Sequence, residues 1–196
     1  MPSDTRQRLI EAALWRFYRD GFANAGIDQI IGEVGISKTA FYKHFESKDD
    51  LMVAVLDEQS DQMLRQFKEL VTRHGGADPI ERLRAIFHAV EYYTGIEGFK
   101  GCIFVNASME FPLLHEPVHR AASRNKHAVE GIVRELAAAA GVPDPDALAR
   151  ELCLVMEGAY VTRYVTGRTD VVALARRVAD RVIGSHLGQT LEGRSG

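Results

Sequence analysis

Between Ser37 and Lys48 the sequence SKTAFYKHFESK gathers side chains that donate hydrogen bonds or carry positive charge: Lys38, Thr39, Tyr42, Lys43, His44 and Lys48. Phe41 and Phe45 interrupt them four residues apart. Lysine, tyrosine and histidine suit phosphate oxygens, and threonine and lysine can reach base edges in the major groove of a duplex. That chemistry is binding, not bond-making. The chain offers no nucleophile elbow, phosphate-cradling loop or carboxylate pair in a spatial pattern that supports catalysis. The nearest enzymatic alternative, a Cys102 nucleophile with a distant histidine, has no spacing in its favour. The chain is therefore expected not to be an enzyme.

A helix must position these donors. At about 100° per residue Phe41 and Phe45 share one face, Thr39 and Lys43 lie nearly opposite, and Tyr42 and His44 flank them. Two aromatics would anchor the helix while a mixed donor face points outward. Ser37 is placed to cap it, and Ile36 and Phe41 bracket that cap as a hydrophobic staple. Gly35 should end the preceding helix, about Ile27 to Val34, in a left-handed conformation. A first helix, capped by Ser3 and stopped at Gly21, offers Leu9, Ile10, Ala13, Leu14 and Phe17, with Phe22 beyond, as its apolar side. The same pattern also fits an ordinary amphipathic helix with a solvated face. Asp28, Glu33, Glu46, Asp49 and Asp50 argue against a broad basic patch and leave the positive charge to the third helix with Arg6 and Arg8. The residues alone keep both readings open.

The chain around this stretch has 196 residues, is 46% hydrophobic and carries a formal net charge of -3. That is enough apolar material for one or two compact domains. The acidic balance excludes a protein that coats nucleic acid without specificity, though not one with a local basic face. Two cysteines, Cys102 and Cys153, form no disulfide framework and suit a reducing compartment. The charged N-terminus lacks the apolar core of a signal peptide, and no apolar run approaches the roughly 20 residues that span a bilayer. A cytoplasmic protein is expected. Helical periodicity dominates throughout. Ser47 should cap a long helix that Gly75 and Gly76 break. Three later helices should begin at an acid followed by proline: Asp78-Pro79, Glu116-Pro117 and Asp144-Pro145. A last helix is expected from about Asp170 to Leu187, with a frayed tail over 191–196. The fold class is all-α with about nine helices.

Residues Arg6 to about Leu56 resemble the DNA-binding domain of TetR/AcrR-type transcriptional regulators. The resemblance lies in "RLIEAALWRFYRDGF", "GIDQIIGEVG" and "ISKTAFYKHFESKDDL". It implies an N-terminal three-helix, helix-turn-helix DNA-binding domain over residues 1–47 and a larger helical domain for ligand binding and dimerisation over 48–196. It implies base or near-base contacts from Lys38, Thr39, Ala40 and Lys43, and phosphate contacts from Tyr42, His44 and Lys48. Two departures stand out. Gly26 occupies the place of a threonine that in many members caps the second helix and touches phosphate, and Asp28 puts an acid near the DNA. The implied function is a ligand-responsive regulator, a repressor by family habit, that binds a near-palindromic operator as a dimer and is released by a small molecule. The alternative is a helical small-molecule binding protein or enzyme that no longer binds DNA.

The larger domain needs a sensor. "GCIFVNASME" is apolar almost all round and is expected to be a buried helix. Asn106 and Glu110 share one of its faces. Either they bond to a neighbouring helix or solvent, or they line a ligand cavity with Cys102, Phe87, His127, Met156 and Tyr160. Cys102 is expected to be buried and inert rather than a redox sensor. His115 and His119 have metal-binding spacing but no third ligand in view, so no metal or cofactor is assigned. The last two helices carry wide apolar faces. One holds Leu148, Leu152, Val155, Met156, Ala159, Tyr160 and Tyr164, and the other Val171, Leu174, Ala175, Val178, Val182 and Ile183. Faces so wide suggest that two chains pack them together, with Val178 or Met156 toward the partner; the resemblance likewise implies a homodimer through these helices.

Overall fold

The computed structural model describes residues 4–192, with side chains for 5–188. The expected cap at Ser3 and the last four residues of the expected tail, 193–196, lie outside them; the first two, Leu191 and Glu192, belong to the last helix, which runs past the expected end at Leu187. The described residues are all-helical: α1 Asp4–Asp20, α2 Ile27–Val34, α3 Lys38–Phe41, α4 Lys48–Gly75, α5 Pro79–Thr94, α6 Ile103–Glu110, α7 Pro117–Ala139, α8 Pro145–Thr166 and α9 Val171–Glu192. The backbone packs into two units. The first takes the chain through Gln62 together with Cys102–Lys126, and the second takes Met63–Gly101 and the chain from His127 onward. Both α4 and α7 therefore pass from one unit to the other.

Local chemistry accounts for the boundaries. Gly35 follows α2 with φ 72°, a conformation that costs a residue without a Cβ least, and its N–H donates to the Ile31 carbonyl at 2.9 Å. Ser37 Oγ accepts from the Ala40 N–H at 3.2 Å and starts α3. Ser47 Oγ accepts from the Asp50 N–H at 3.1 Å and starts α4, while the Asp50 carboxylate reaches back to the Glu46 N–H at 3.1 Å. Each such cap is worth about 1 kcal/mol. Helices α5, α7 and α8 all begin at the expected prolines. Asp78 accepts from the Ile80 and Glu81 N–H groups at 2.8 and 3.3 Å, and Asp144 from Ala147 at 2.9 Å. Glu116 instead accepts from the Leu113 N–H at 3.3 Å, ahead of its own helix.

In the first unit Leu9, Phe17, Phe22, Ile30, Phe41 and Leu51 are buried, with the Phe17 and Phe22 rings stacked at 4.9 Å. Arg8 donates to the Val34 carbonyl at 2.6 Å, and Arg16 pairs with Glu33. Helix α1 thus holds α2 through its last carbonyl and an acid on its outer side. Helix α6 buries one face, Ile103, Phe104 and Ala107, and exposes Met109 and Glu110. The expected all-round burial is corrected: its apolar composition is divided between a packed face and an open one.

In the second unit α5, α8 and α9 pack on one another. Phe87, Leu152, Met156, Tyr160, Ala175 and Ile183 belong to one core there. Of the two residues expected to face a second chain, Val178 or Met156, the fold rules out Met156 and leaves Val178 half-buried. At 3% exposure Met156 is consumed inside its own chain. Other apolar residues remain outward, among them Leu154 at 74%, Val161 at 49%, Tyr164 at 52% and Val165 at 72% on α8, and Leu174 at 43% on α9.

Candidate nucleic-acid interface

Helix α3 is one turn long, yet the backbone keeps turning after it. His44 N–H donates to the Phe41 carbonyl at 2.9 Å and Phe45 N–H to the same carbonyl at 3.1 Å. The coil thus carries the side chains as far as Phe45. Phe41 and Phe45 are both buried, their ring centroids 5.8 Å apart, and the Arg6 guanidinium lies over the Phe45 ring at 5.1 Å. Lys38, Thr39, Tyr42 and Lys43 are exposed, and Ala40 and His44 are half-exposed. Tyr42 stands edge-on to Phe41 at 5.2 Å, which fixes the ring while half of the residue stays in solvent. Four of the six donors thus stand exposed on a turn whose aromatic anchors, Phe41 and Phe45, are buried.

Three neighbours modify that surface. Lys38 Nζ lies 3.3 Å from Asp28 Oδ1, so the acid on α2 holds the first lysine of α3. Gly26 caps α2 with its backbone alone, and Gln29 Oε1 accepts the Gly26 N–H at 3.2 Å. Lys48 is half-buried and its Nζ donates to the Ala23 carbonyl at 2.9 Å. Burial pushes its pKa below the usual lysine value, against the pull of Asp49 and Glu110. One of its three donors is committed to the turn between α1 and α2.

The residues expected to line a ligand site are not gathered so plainly. Cys102, Asn106 and Glu110 belong to the first unit, and Phe87, His127, Met156 and Tyr160 to the second. Phe87, Met156 and Tyr160 are core residues. Phe87 also backs a polar cleft of about 190 Å³ in the second unit, lined by His74, Arg84, His88, Arg176 and Asp180 among others. Cys102 is half-buried rather than sealed, with Lys126 Nζ at 3.1 Å from its sulfur. Of the two expectations for Glu110, a bond within the chain or a place in a ligand wall, its contacts fit the first. Its two oxygens accept the Phe22 and Ala23 N–H groups at 3.0 and 2.7 Å, so it is spent on the chain itself. His119 Nδ1–H donates to the Phe111 carbonyl at 2.8 Å, and no group of three metal-ligating side chains occurs among the described residues.

A family model described as bacterial regulatory proteins, tetR family, matches residues 9–55, and one described as tetracyclin repressor-like, C-terminal domain, matches 79–179. The chain belongs to the TetR family. A TetR-family transcriptional regulator of Streptomyces coelicolor, SCO4454, is 30% identical with a TM-score of 0.83, over 94% of this chain and 96% of that one. A TetR-type regulator of Streptomyces avermitilis, sav143, is 32% identical with a TM-score of 0.77, over 91% and 99%. The transcriptional regulator AcuR of Cereibacter sphaeroides is 27% identical over 84% of this chain and 78% of its own. The protein is accordingly a DNA-binding transcriptional regulator, and among the described residues no helix is long and apolar enough to cross a membrane.

For a TetR-family protein the Asp28–Lys38 pair has a measurable consequence. Both side chains are exposed, so the pair itself adds little stability. Asp28→Asn removes the acid beside Lys38 and releases the lysine. Operator affinity in fluorescence anisotropy is expected to rise about 3- to 10-fold at low salt, with the gain shrinking as salt screens it. A fall in affinity would mean that Asp28 aims Lys38 at its base.

Proposed function

We propose that this TetR-family regulator represses transcription by binding a near-palindromic operator as a homodimer, and that a small molecule releases it. The observation that carries the DNA half is the exposed set Lys38, Thr39, Tyr42 and Lys43 on a turn anchored by buried Phe41 and Phe45. In this reading Lys38, Thr39, Ala40 and Lys43 meet base edges, and Tyr42, His44 and the remaining Lys48 donors meet phosphate. Residues 1–47 supply the DNA-binding function, and 48–196 supply dimerisation and ligand binding.

What supports the dimer is the unpartnered face of α8. Leu154, Gly158, Val161 and Val165 fall on one side of that helix, and all are exposed. A Cβ built at Gly158, or at Gly184 on α9, would meet nothing within 4 Å, so packing inside the chain gives no reason for either glycine. A glycine inside a helix costs roughly 0.5–1 kcal/mol relative to alanine. Close approach of a second chain would explain it. Two recognition elements about 34 Å apart would then read successive major grooves.

What supports the ligand is Asn125. It is buried, donates from Nδ2 to Ser60 Oγ at 3.0 Å, and leaves Oδ1 without a hydrogen-bond partner. An unsatisfied buried acceptor costs about 1–3 kcal/mol, a cost that a bound hydroxyl or N–H, of a water or of a ligand, would relieve. The lining roles expected of Phe87, Cys102, Asn106, His127, Met156 and Tyr160 are each open to single substitution.

The deciding experiment titrates the protein onto inverted repeats from the DNA upstream of its gene. Binding whose logarithm falls linearly with log salt, and that prefers one repeat over scrambled DNA, is expected. Absence of any preference at low salt would leave only a helical binding module. Compounds that raise Tm should then weaken operator binding by the same factor that operator weakens theirs.

A further inference from the structure

We propose that Glu110 is a positioning residue for DNA binding: its carboxylate clamps the α1–α2 turn and so ties the pose of the DNA-binding helices to the end of α6. This rests on the reading that α2 and α3 carry the operator contacts.

The geometry is specific. Oε1 accepts the Phe22 N–H at 3.0 Å and Oε2 accepts the Ala23 N–H at 2.7 Å. Those two amides lie in a turn where no helix partner is available, and backbone donors demand partners. The carbonyl of Ala23 is taken by Lys48 Nζ at 2.9 Å. One residue of the turn is thus held through its N–H from α6 and through its C=O from the first turn of α4. Gly21 has φ +88°, and a Cβ there would stand 3.2 Å from Glu110 Oε1. The turn is shaped to admit the carboxylate.

Two further observations set Glu110 apart from an ordinary surface acid. It is the last residue of α6, where the negative end of the helix dipole disfavours a carboxylate. A side chain that breaks a local rule needs a compensating role, and the paired N–H groups supply it. The next residue is pinned as well, because His119 of α7 donates to the Phe111 carbonyl at 2.8 Å. Hydrogen bonds from α7 and from the turn thus meet at two adjacent residues, Phe111 and Glu110, at the end of α6. The turn ends at Gly26, where α2 begins. A displacement of the end of α6 by the length of one hydrogen bond releases Phe22 and Ala23 and loosens the entry into α2.

The test turns on a sign. Removing a negative charge near DNA by electrostatics alone raises affinity. The clamp requires a fall. Glu110→Gln keeps the shape and one acceptor oxygen but turns an amide donor toward a backbone N–H. Glu110→Ala removes both acceptors. Operator affinity should fall about 3-fold for the first and 10- to 30-fold for the second, with an unchanged slope of log K against log salt, because no phosphate contact is lost. Amide exchange of the full chain without DNA gives an independent readout. Phe22 and Ala23 should lose protection in Glu110→Ala while Ile31 and Phe41 keep theirs. Unchanged exchange at Phe22 and Ala23 overturns the clamp. Lost protection with equal or higher operator affinity overturns its positioning role. A wild-type protein that ignores every operator at low salt overturns the DNA reading beneath it, and the proposal with it. Loss of protection throughout the first unit would make Glu110 a folding residue and overturn the proposal equally.

Discussion

The Lys38→Ala, Lys43→Ala double variant is expected to bind its operator about 30- to 10,000-fold more weakly, since a good base contact is worth about 1–3 kcal/mol and each 1.4 kcal/mol is tenfold. Both side chains are exposed, so the fold has no stake in them, and Tm should stay within about a degree or two of the wild type. The two lysines should not contribute equally. Lys38 is already held by Asp28 at 3.3 Å and must exchange that partner for DNA. Among the described residues the Lys43 side chain makes no hydrogen bond or ion pair. Lys43→Ala alone is therefore expected to account for most of the loss and to relax preference at one or two base positions. Tyr42→Phe should weaken every sequence alike, because a phosphate contact carries no base information. Equal operator binding by the double variant and the wild type would sink the assignment of α3 as the reading element.

What the sequence made legible here is what local chemistry decides. Gly35 and Ser37 mark a helix end and a helix start within three residues, and the structure shows the left-handed glycine and the serine cap. The acid–proline pairs located α5, α7 and α8 for the same reason: a helix start is written in its first turn. The partners of the site were written elsewhere. Phe22 and Glu110 are 88 positions apart, so nothing in the periodicity around Glu110 points to the turn it holds. The only hint was a carboxylate at the wrong end of a helix. Asp28 and Lys38 are ten positions apart across a helix-turn-helix corner, and each looked like an independent charge.

Met156 failed for a different reason. Helix α8 is apolar on two sides, and periodicity counts apolar residues without saying which core they enter. Tertiary packing settled it: Leu152, Met156, Ala159 and Tyr160 went inward, and Leu154, Val161 and Val165 were left out. The proposal of a dimer through the last two helices is unaffected, but the residues that test it change.

Val161→Glu is therefore expected to abolish the proposed dimer without unfolding the chain. Val161 is 49% exposed in the single chain, so a carboxylate there stays hydrated and Tm of the monomer should hold. In a two-fold interface each substitution appears twice, so two carboxylates would be desolvated at once. That penalty is several kcal/mol per ion, enough to turn a dimer at micromolar concentration into a monomer by sedimentation. Operator binding follows. Each half-site alone is weak, and joining two into one molecule typically multiplies affinity by about 10²–10⁴, so the monomer should lose that factor on the full palindrome and none on a half-site. Met156→Glu is the contrast. Its side chain lies inside the second-unit core, so the charge has no water and no partner, and the expected result is loss of folding. A Val161→Glu protein that sediments as a dimer and binds the full palindrome at wild-type affinity would place the partner surface elsewhere. A Met156→Glu protein that folds and merely dissociates would mean that α8 turns its other side to the second chain.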